Sequence, residues 1–174
     1  YRNKKEMKNI NGVLSWSPVA AFAGSLGADP YNRDKAADGR GSRGAIHGLT
    51  RTSAYGIDNE TFFLEYIGRA RTVTEYFEDV IKACVYYSMP VLGELSNEAF
   101  LTYLKDRGYR NFSLNNPMKK YHELSDTERK LGGAPPQDAK IADQQMYACE
   151  AYIENHVGVA DDSSERPKDT MGNM

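Results

Sequence analysis

The sequence predicts an α/β fold: a mixed sheet, its first three strands antiparallel and its later strands parallel, flanked by helices. Three observations lead there. Three β-favouring stretches follow one another at short separations between Val19 and Gly68. The hydrophobic period then becomes that of a helix from Thr72 to Ser88. Beyond it, short apolar runs alternate with helical patterns, the order in which strands become parallel neighbours.

Residues 1–17 read as a linker. The first strand is the small, apolar run 19–28, stopped by the turn chemistry of Asp29-Pro30-Tyr31-Asn32, so it ends at an acid. Residues 33–44 read as a flexible loop containing Gly39, Gly41 and Gly44. Residues 45–52 and 61–68 complete an antiparallel meander, the second built from Phe62-Phe63-Leu64-Glu65-Tyr66-Ile67. Thr72 and Glu75 form a T-x-x-E capping box ahead of Val73, Tyr76, Phe77, Val80, Cys84 and Tyr87 at helical spacing. A short apolar run, 89–93, leads to Glu94, and a second helix over 97–107 buries Phe100, Leu101 and Leu104 before Gly108 stops it. Residues 111–114 read as a short strand and 115–136 as loop or irregular chain. A third helix over 138–156 runs through Ile141, Ala142, Met146, Cys149 and Ile153, and 159–174 read as a loosely held tail. This order of elements is that of a ribonuclease H-like fold with the first strand central, expected to span 18–158. A chain opening at Tyr1 and closing at Met174 reads as a fragment, truncated at its C-terminal end.

Composition narrows the class. The chain has 174 residues, of which 40% are hydrophobic and 26% charged, enough for one domain with a real core. Lys and Arg number 22 against 24 Asp and Glu, so no global charge drives it toward polyanions. No run approaches the ~18 apolar residues of a spanning helix, and the start carries no signal-peptide pattern, so a cytoplasmic setting is expected. Cys84 and Cys149 form no CxxC pair, which sets aside a disulfide framework and a zinc finger. His47, His122 and His156 fall at no metal spacing, and surface or packing roles are expected for them. Trp16 is expected to pack an edge. Ser42 lacks a GxSxG elbow and Cys84 lies within a helical pattern, so neither reads as a nucleophile.

Two carboxylates fall where such a fold makes them matter. Asp29 ends the first strand and Glu94 ends the strand after the first crossover helix, and ligands in open α/β sheets collect beyond the carboxyl ends of parallel strands. Paired acids there suit Mg²⁺ or Mn²⁺, hard cations that take oxygen ligands and activate phosphodiester hydrolysis. The alternative is local: Asp before Pro serves turns, and Glu94 could cap the next helix. Basic residues cluster as well. Between Phe100 and His122, Lys105, Arg107, Arg110, Lys119 and Lys120 oppose only Asp106, with tyrosines interleaved. In the preceding loop Arg33, Lys35, Arg40 and Arg43 oppose Asp34 and Asp38. Such groups neutralise phosphate, or form ordinary solvated faces.

Several segments in order, Gly27-Ala-Asp-Pro-Tyr-Asn-Arg-Asp34, Gly39-Arg-Gly-Ser-Arg-Gly-Ala-Ile-His47, Phe63-Leu-Glu-Tyr-Ile-Gly-Arg69, Tyr76-Phe-Glu-Asp-Val80, Arg107-Gly-Tyr-Arg110 and Gly132-Gly133, give the chain a family likeness. From about Leu26 to Gly158 it resembles the nuclease part of tailed-bacteriophage terminase large subunits, the DNA-packaging motors that cut concatemeric genomes. The resemblance implies a metal-dependent endonuclease in which Asp29 and Glu94 are catalytic metal ligands for two Mg²⁺ or Mn²⁺ ions. It implies a third acid in a segment after Met174, without which this piece would bind metal weakly and cut poorly. Leu95 and Ser96 depart from the two asparagines that often follow this glutamate in the family. The partners implied are double-stranded DNA, here through Arg40, Arg43, Lys119 and Lys120, and in the full protein the ATPase domain, portal and small terminase subunit. The setting implied is the host cytoplasm during virion assembly, with no membrane. No GxxxxGK[ST] loop is present, so no ATP is expected to bind here. A resolvase or transposase core, and a non-catalytic DNA- or portal-binding module, are the competing readings.

Overall fold

The computed structural model describes residues 4–31, 43–52, 58–135 and 139–156. The chain divides into two compact units, Tyr1–Pro136 and Gln137–Met174.

The first unit opens with an antiparallel hairpin, β1 (Lys5–Ile10) and β2 (Val13–Pro18), where the sequence reading has a linker. Asn11 and Gly12 make its turn, both at positive φ (52° and 84°). An Asn-Gly pair adopts that conformation readily, and its twist matches that of the strands. Gly108 anchors the hairpin through its carbonyl, which accepts from the Trp16 N–H (2.8 Å) and the Ser15 hydroxyl (2.7 Å). The Lys5 ammonium lies 4.3 Å from the Trp16 ring centroid, and Trp16 packs at the margin of the core.

A four-stranded mixed sheet follows, of order β5-β4-β3-β6. It comprises β3 (Gly24–Asp29), β4 (Gly44–Thr50), β5 (Phe62–Gly68) and β6 (Val91–Gly93). The meander β3-β4-β5 is antiparallel, and β6 joins β3 in parallel. Helix α1 (Val73–Tyr87) makes the crossover, as its period predicts. Thr72 caps it by accepting from the Glu75 N–H (3.1 Å). Glu75 reaches back to the Arg71 N–H (3.1 Å), one residue short of a closed capping box. Helix α2 (Glu98–Asp106) starts at the cap Asn97.

Alternation along the strands decides the two faces. Leu26, Ala28, Ile46 and Val91 bury against Tyr76, Phe77 and Val80 of α1 and Phe100, Leu101 and Leu104 of α2. Burying the larger of these side chains contributes about 1.5–3 kcal/mol each, which holds both helices on this face. Ser25, Gly27 and Asp29 alternate to the other face, with Gly27 and Asp29 exposed.

Beyond β6 the sheet continues only as single bridges, Val91 with Ser113 and Glu94 with Ala134. The strand expected over 111–114 is a 3₁₀ turn, Arg110–Phe112, followed by the Ser113 bridge. The segment read as loop contains a second 3₁₀ turn, Tyr121–Glu123, and a helix, α3 (Asp126–Leu131). A capping box starts α3: Ser125 accepts from the Glu128 N–H (3.2 Å) and Glu128 accepts from the Ser125 N–H (2.7 Å). Gly132 and Gly133 then take positive φ (78° and 94°) and turn the chain so that the Ala134 N–H reaches the Gly93 carbonyl (2.8 Å).

Glu128 is 3% exposed and accepts from the Lys119 ammonium (2.9 Å) as well as from Ser125 and Asn116. Lys119 chiefly, then the Ser125 N–H, holds its carboxyl down to about 2. A carboxyl depressed in the folded state stabilises the fold above its ordinary value of 4.5, and that contribution fades as pH falls from there toward about 2. Melting temperature against pH should therefore fall more steeply below pH 4.5 for the natural chain than for Glu128→Gln, the two curves converging at the acid end. Parallel curves would refute the linkage.

In the second unit, α4 (Ala139–His156) is one continuous helix, as the spacing predicts, with Met146, Tyr147 and Ile153 exposed. No helix among the described residues is long and apolar enough to cross a membrane. The expected tail, 159–174, lies outside the described residues, as do 33–42 of the basic loop.

Candidate functional site

Strands β3 and β6 run parallel in the register Leu26 with Val91, Gly27 with Leu92 and Ala28 with Gly93. The next residue on each strand is Asp29 and Glu94. Neighbouring strands lie ~4.8 Å apart, and register partners in a parallel pair project to the same face. The two acids therefore stand side by side at the carboxyl ends of adjacent strands, on the face opposite the α1–α2 core. Asp29 is exposed and Glu94 half-buried.

The local alternatives for these acids find little support. The cap of α2 is Asn97, whose amide oxygen accepts from the Phe100 N–H (3.3 Å), so Glu94 does not serve as the cap. Among the described residues the Asp29 carboxylate makes no hydrogen bond or ion pair, whereas an aspartate that shapes a turn accepts a nearby backbone N–H.

Several contacts hold this end of the sheet. Asn97 is 5% exposed, and its amide nitrogen donates to the Pro30 carbonyl (3.0 Å), joining the turn after Asp29 to the start of α2, three residues beyond Glu94. On the other strand, the Leu95 N–H donates to the Ala134 carbonyl (2.7 Å). The Tyr31 hydroxyl donates to the Ala70 and Thr72 carbonyls (3.1 Å each). The Tyr76 hydroxyl donates to the carbonyl of Ala45, the register partner of Asp29 (2.7 Å). Burial, then the charge of Asp29, pushes the Tyr76 phenol well above its ordinary value, so it remains a donor. Sequence reasoning places Asn97 at a helix start but misses its hold on Pro30, which depends on a contact made 67 residues away.

The same face carries Gly27 and His47, which are register partners. A Cβ on Gly27 would meet nothing within 4 Å, so the floor beside the acids is open. His47 Nε2 lies 3.7 Å from the Glu65 carboxylate on β5. Among the described residues no group of three or more His, Cys, Asp and Glu side chains forms a metal cluster, and the site consists of its two carboxylates. Comparison with family models, with curated proteins and with solved structures finds no match.

The basic residues are distributed differently from their order in the sequence. Arg107 pairs with Glu78 (2.7 Å), Lys105 with Asp106 (3.1 Å) and Lys119 with Glu128 (2.9 Å), while Arg110 is buried. Of that cluster, Lys120 remains exposed with no ion pair among the described residues. The partners of Arg107 and Lys119 come from outside the window in which sequence arithmetic found one acid against five cations. Arg43 is exposed and directly precedes β4, at the same end of the sheet as Asp29, whereas Arg40 lies outside the described residues. Cys84 is buried, and burial raises its thiol far above the ordinary value, which leaves it no nucleophile.

Proposed function

We propose that the chain is the metal-dependent endonuclease part of a phage terminase large subunit, with a ribonuclease H-like fold, cutting concatemeric DNA during genome packaging. One observation carries the reading: Asp29 and Glu94 each come one residue after the last paired position, Ala28 with Gly93, of two adjacent parallel strands in a sheet ordered β5-β4-β3-β6. That strand order, with the first strand of the meander central, is compatible with the expected fold.

The donor set fits a hard divalent cation, because two carboxylates offer oxygen ligands and the open floor at Gly27 leaves room for waters and a phosphate. Asp29 and Glu94 would hold Mg²⁺ or Mn²⁺, two ions in the complete site, and Asn97 keeps the two strand ends together. When bound, such ions stabilise charge on the phosphate and lower the pKa of an attacking water. On this reading the substrate is double-stranded DNA, contacted through Arg40 and Arg43, which precede β4 in the sequence, and through Lys120. Lys119 contributes less, since Glu128 already offsets its charge. In the full protein the partners are the ATPase domain, the portal and the small subunit, in the host cytoplasm during assembly.

Thermal unfolding with added Mn²⁺ tests the site. A ligand at one hundred times its dissociation constant stabilises a fold by about 2.7 kcal/mol, so Mn²⁺ should raise the melting temperature of the natural chain. The rise should vanish in Asp29→Asn and in Glu94→Gln. No rise in the natural chain, or an equal rise in both variants, would reject the metal site and leave a DNA- or portal-binding module.

A further inference from the structure

Across the open face, His47, Gly27 and Leu92 form one row, and Ala45, Asp29 and Glu94 the next, through the registers β4–β3 and β3–β6. Two residues along a strand advance the chain by about 6.6 Å, the scale of one nucleotide step in a nucleic-acid backbone. His47 thus stands one row from the acids, on their side of the sheet and diagonal to Asp29, with Cβ atoms about 7–8 Å apart or somewhat less. Between them lies Gly27, over which there is open space.

The imidazole is not part of the core: its side chain is 46% exposed, and that of its neighbour Glu65 is 69% exposed. Glu65, its register partner on β5, faces Nε2 at 3.7 Å. That contact biases the ring's orientation, as carboxylate–imidazole pairs do. The row of acids alone would repel a phosphodiester strand. A donor one nucleotide step away offsets that repulsion locally and fixes the register of the strand, which is how phosphate contacts act.

We infer that His47, oriented by Glu65, donates a hydrogen bond to the backbone phosphate next to the one at the Asp29–Glu94 end, so that it positions the DNA strand over Gly27. This role rests on the nuclease reading and extends it to substrate placement.

Binding without cleavage provides the test, using a fluorescein-labelled duplex of about 20 base pairs titrated in EDTA. A hydrogen bond to a charged group corresponds to roughly a tenfold change in affinity. His47→Ala should weaken binding by about that factor with its melting temperature unchanged, and His47→Lys, which restores a donor, should recover most of the loss. Where nicking is measured, the loss should appear in KM rather than kcat. Unchanged affinity in His47→Ala, or equal loss in His47→Lys, overturns the role of His47. If Asp29→Asn has meanwhile lost its Mn²⁺ response, the metal site survives that failure; if Asp29→Asn keeps the response, the nuclease reading falls and the His47 role falls with it.

Discussion

Arg110→Ala should lower the stability of the first unit by about 4 kcal/mol, near the upper end of single-residue effects. For a domain of this size that is a fall of about 10–15 °C in melting temperature. Arg110 is 6% exposed, and among the described residues no carboxylate pairs with its guanidinium. It donates to five oxygens instead: the carbonyls of Lys130 (2.9 Å), Arg129 (2.9 Å), Glu128 (3.3 Å) and Ser113 (2.8 Å), and the Asn115 amide oxygen (2.6 Å). Three of these carbonyls belong to the last turn of α3; that of Glu128 also accepts the Gly132 N–H (2.8 Å), while those of Arg129 and Lys130 lie past the last helical N–H. Burial lowers the pKa of Arg110, yet a guanidinium remains charged, so its donors must be matched where it stands. Truncation to Ala removes the donors, strands the Arg129 and Lys130 carbonyls and opens a cavity, and each of these destabilises. Arg110→Lys retains the charge but not the planar fork, and should recover less than half of the loss. Denaturant unfolding of the three proteins measures this. A loss under 1 kcal/mol in Arg110→Ala, or full recovery in Arg110→Lys, would show that the clasp contributes little.

The consequence reaches the acids. Arg110 ties Ser113 and Asn115 to the end of α3, and the chain leaving α3 turns through Gly132 and Gly133 to Ala134, the bridge partner of Glu94. A Cβ on Gly132 would come within 2.4 Å of the Ser113 hydroxyl and 3.1 Å of the Arg110 guanidinium, so this corner has no slack. The Glu94 side of the site thus depends on this corner through the Ala134 bridge and the Leu95 N–H to Ala134 carbonyl bond.

Local periodicity made much of this legible. The spacing of Tyr76, Phe77, Val80 and Cys84 specifies α1, and three consecutive β-rich stretches specify the meander. An apolar run after a crossover helix specifies a parallel neighbour, and hence the convergence of two acids 65 residues apart. The hairpin β1–β2 escapes the sequence reading although Asn11-Gly12 marks its turn, because Lys5, Glu6, Lys8 and Asn9 leave β1 without an apolar face. Helix α3 escapes it because six residues, with Leu131 the one large apolar member, display no period. The pairing within the cation cluster is not legible for a different reason. Charge counted within a window says nothing about Glu78, 29 residues from Arg107, nor about the carbonyls that surround Arg110.

Replacing either acid should abolish nuclease activity without harming the fold, and this combination separates a functional carboxylate from a structural one. Like charges on neighbouring strands destabilise a sheet slightly, by a few tenths of a kcal/mol at exposed positions. Asp29→Asn and Glu94→Gln should therefore unfold, in EDTA, at or just above the temperature of the natural chain. Nicking of supercoiled plasmid in Mg²⁺ or Mn²⁺ should fall in both by on the order of a thousandfold, about 4 kcal/mol of barrier. The assay is best made with any chain that follows Met174 included, so that a third acid, if supplied there, raises the starting rate. The two substitutions should also be non-additive, the double variant being no slower than either single one, because both remove ligands from one site. Unchanged nicking in both single variants would reject the assignment. Thousandfold losses that simply multiply in the double variant would place the two acids in separate roles and break the shared-cation geometry.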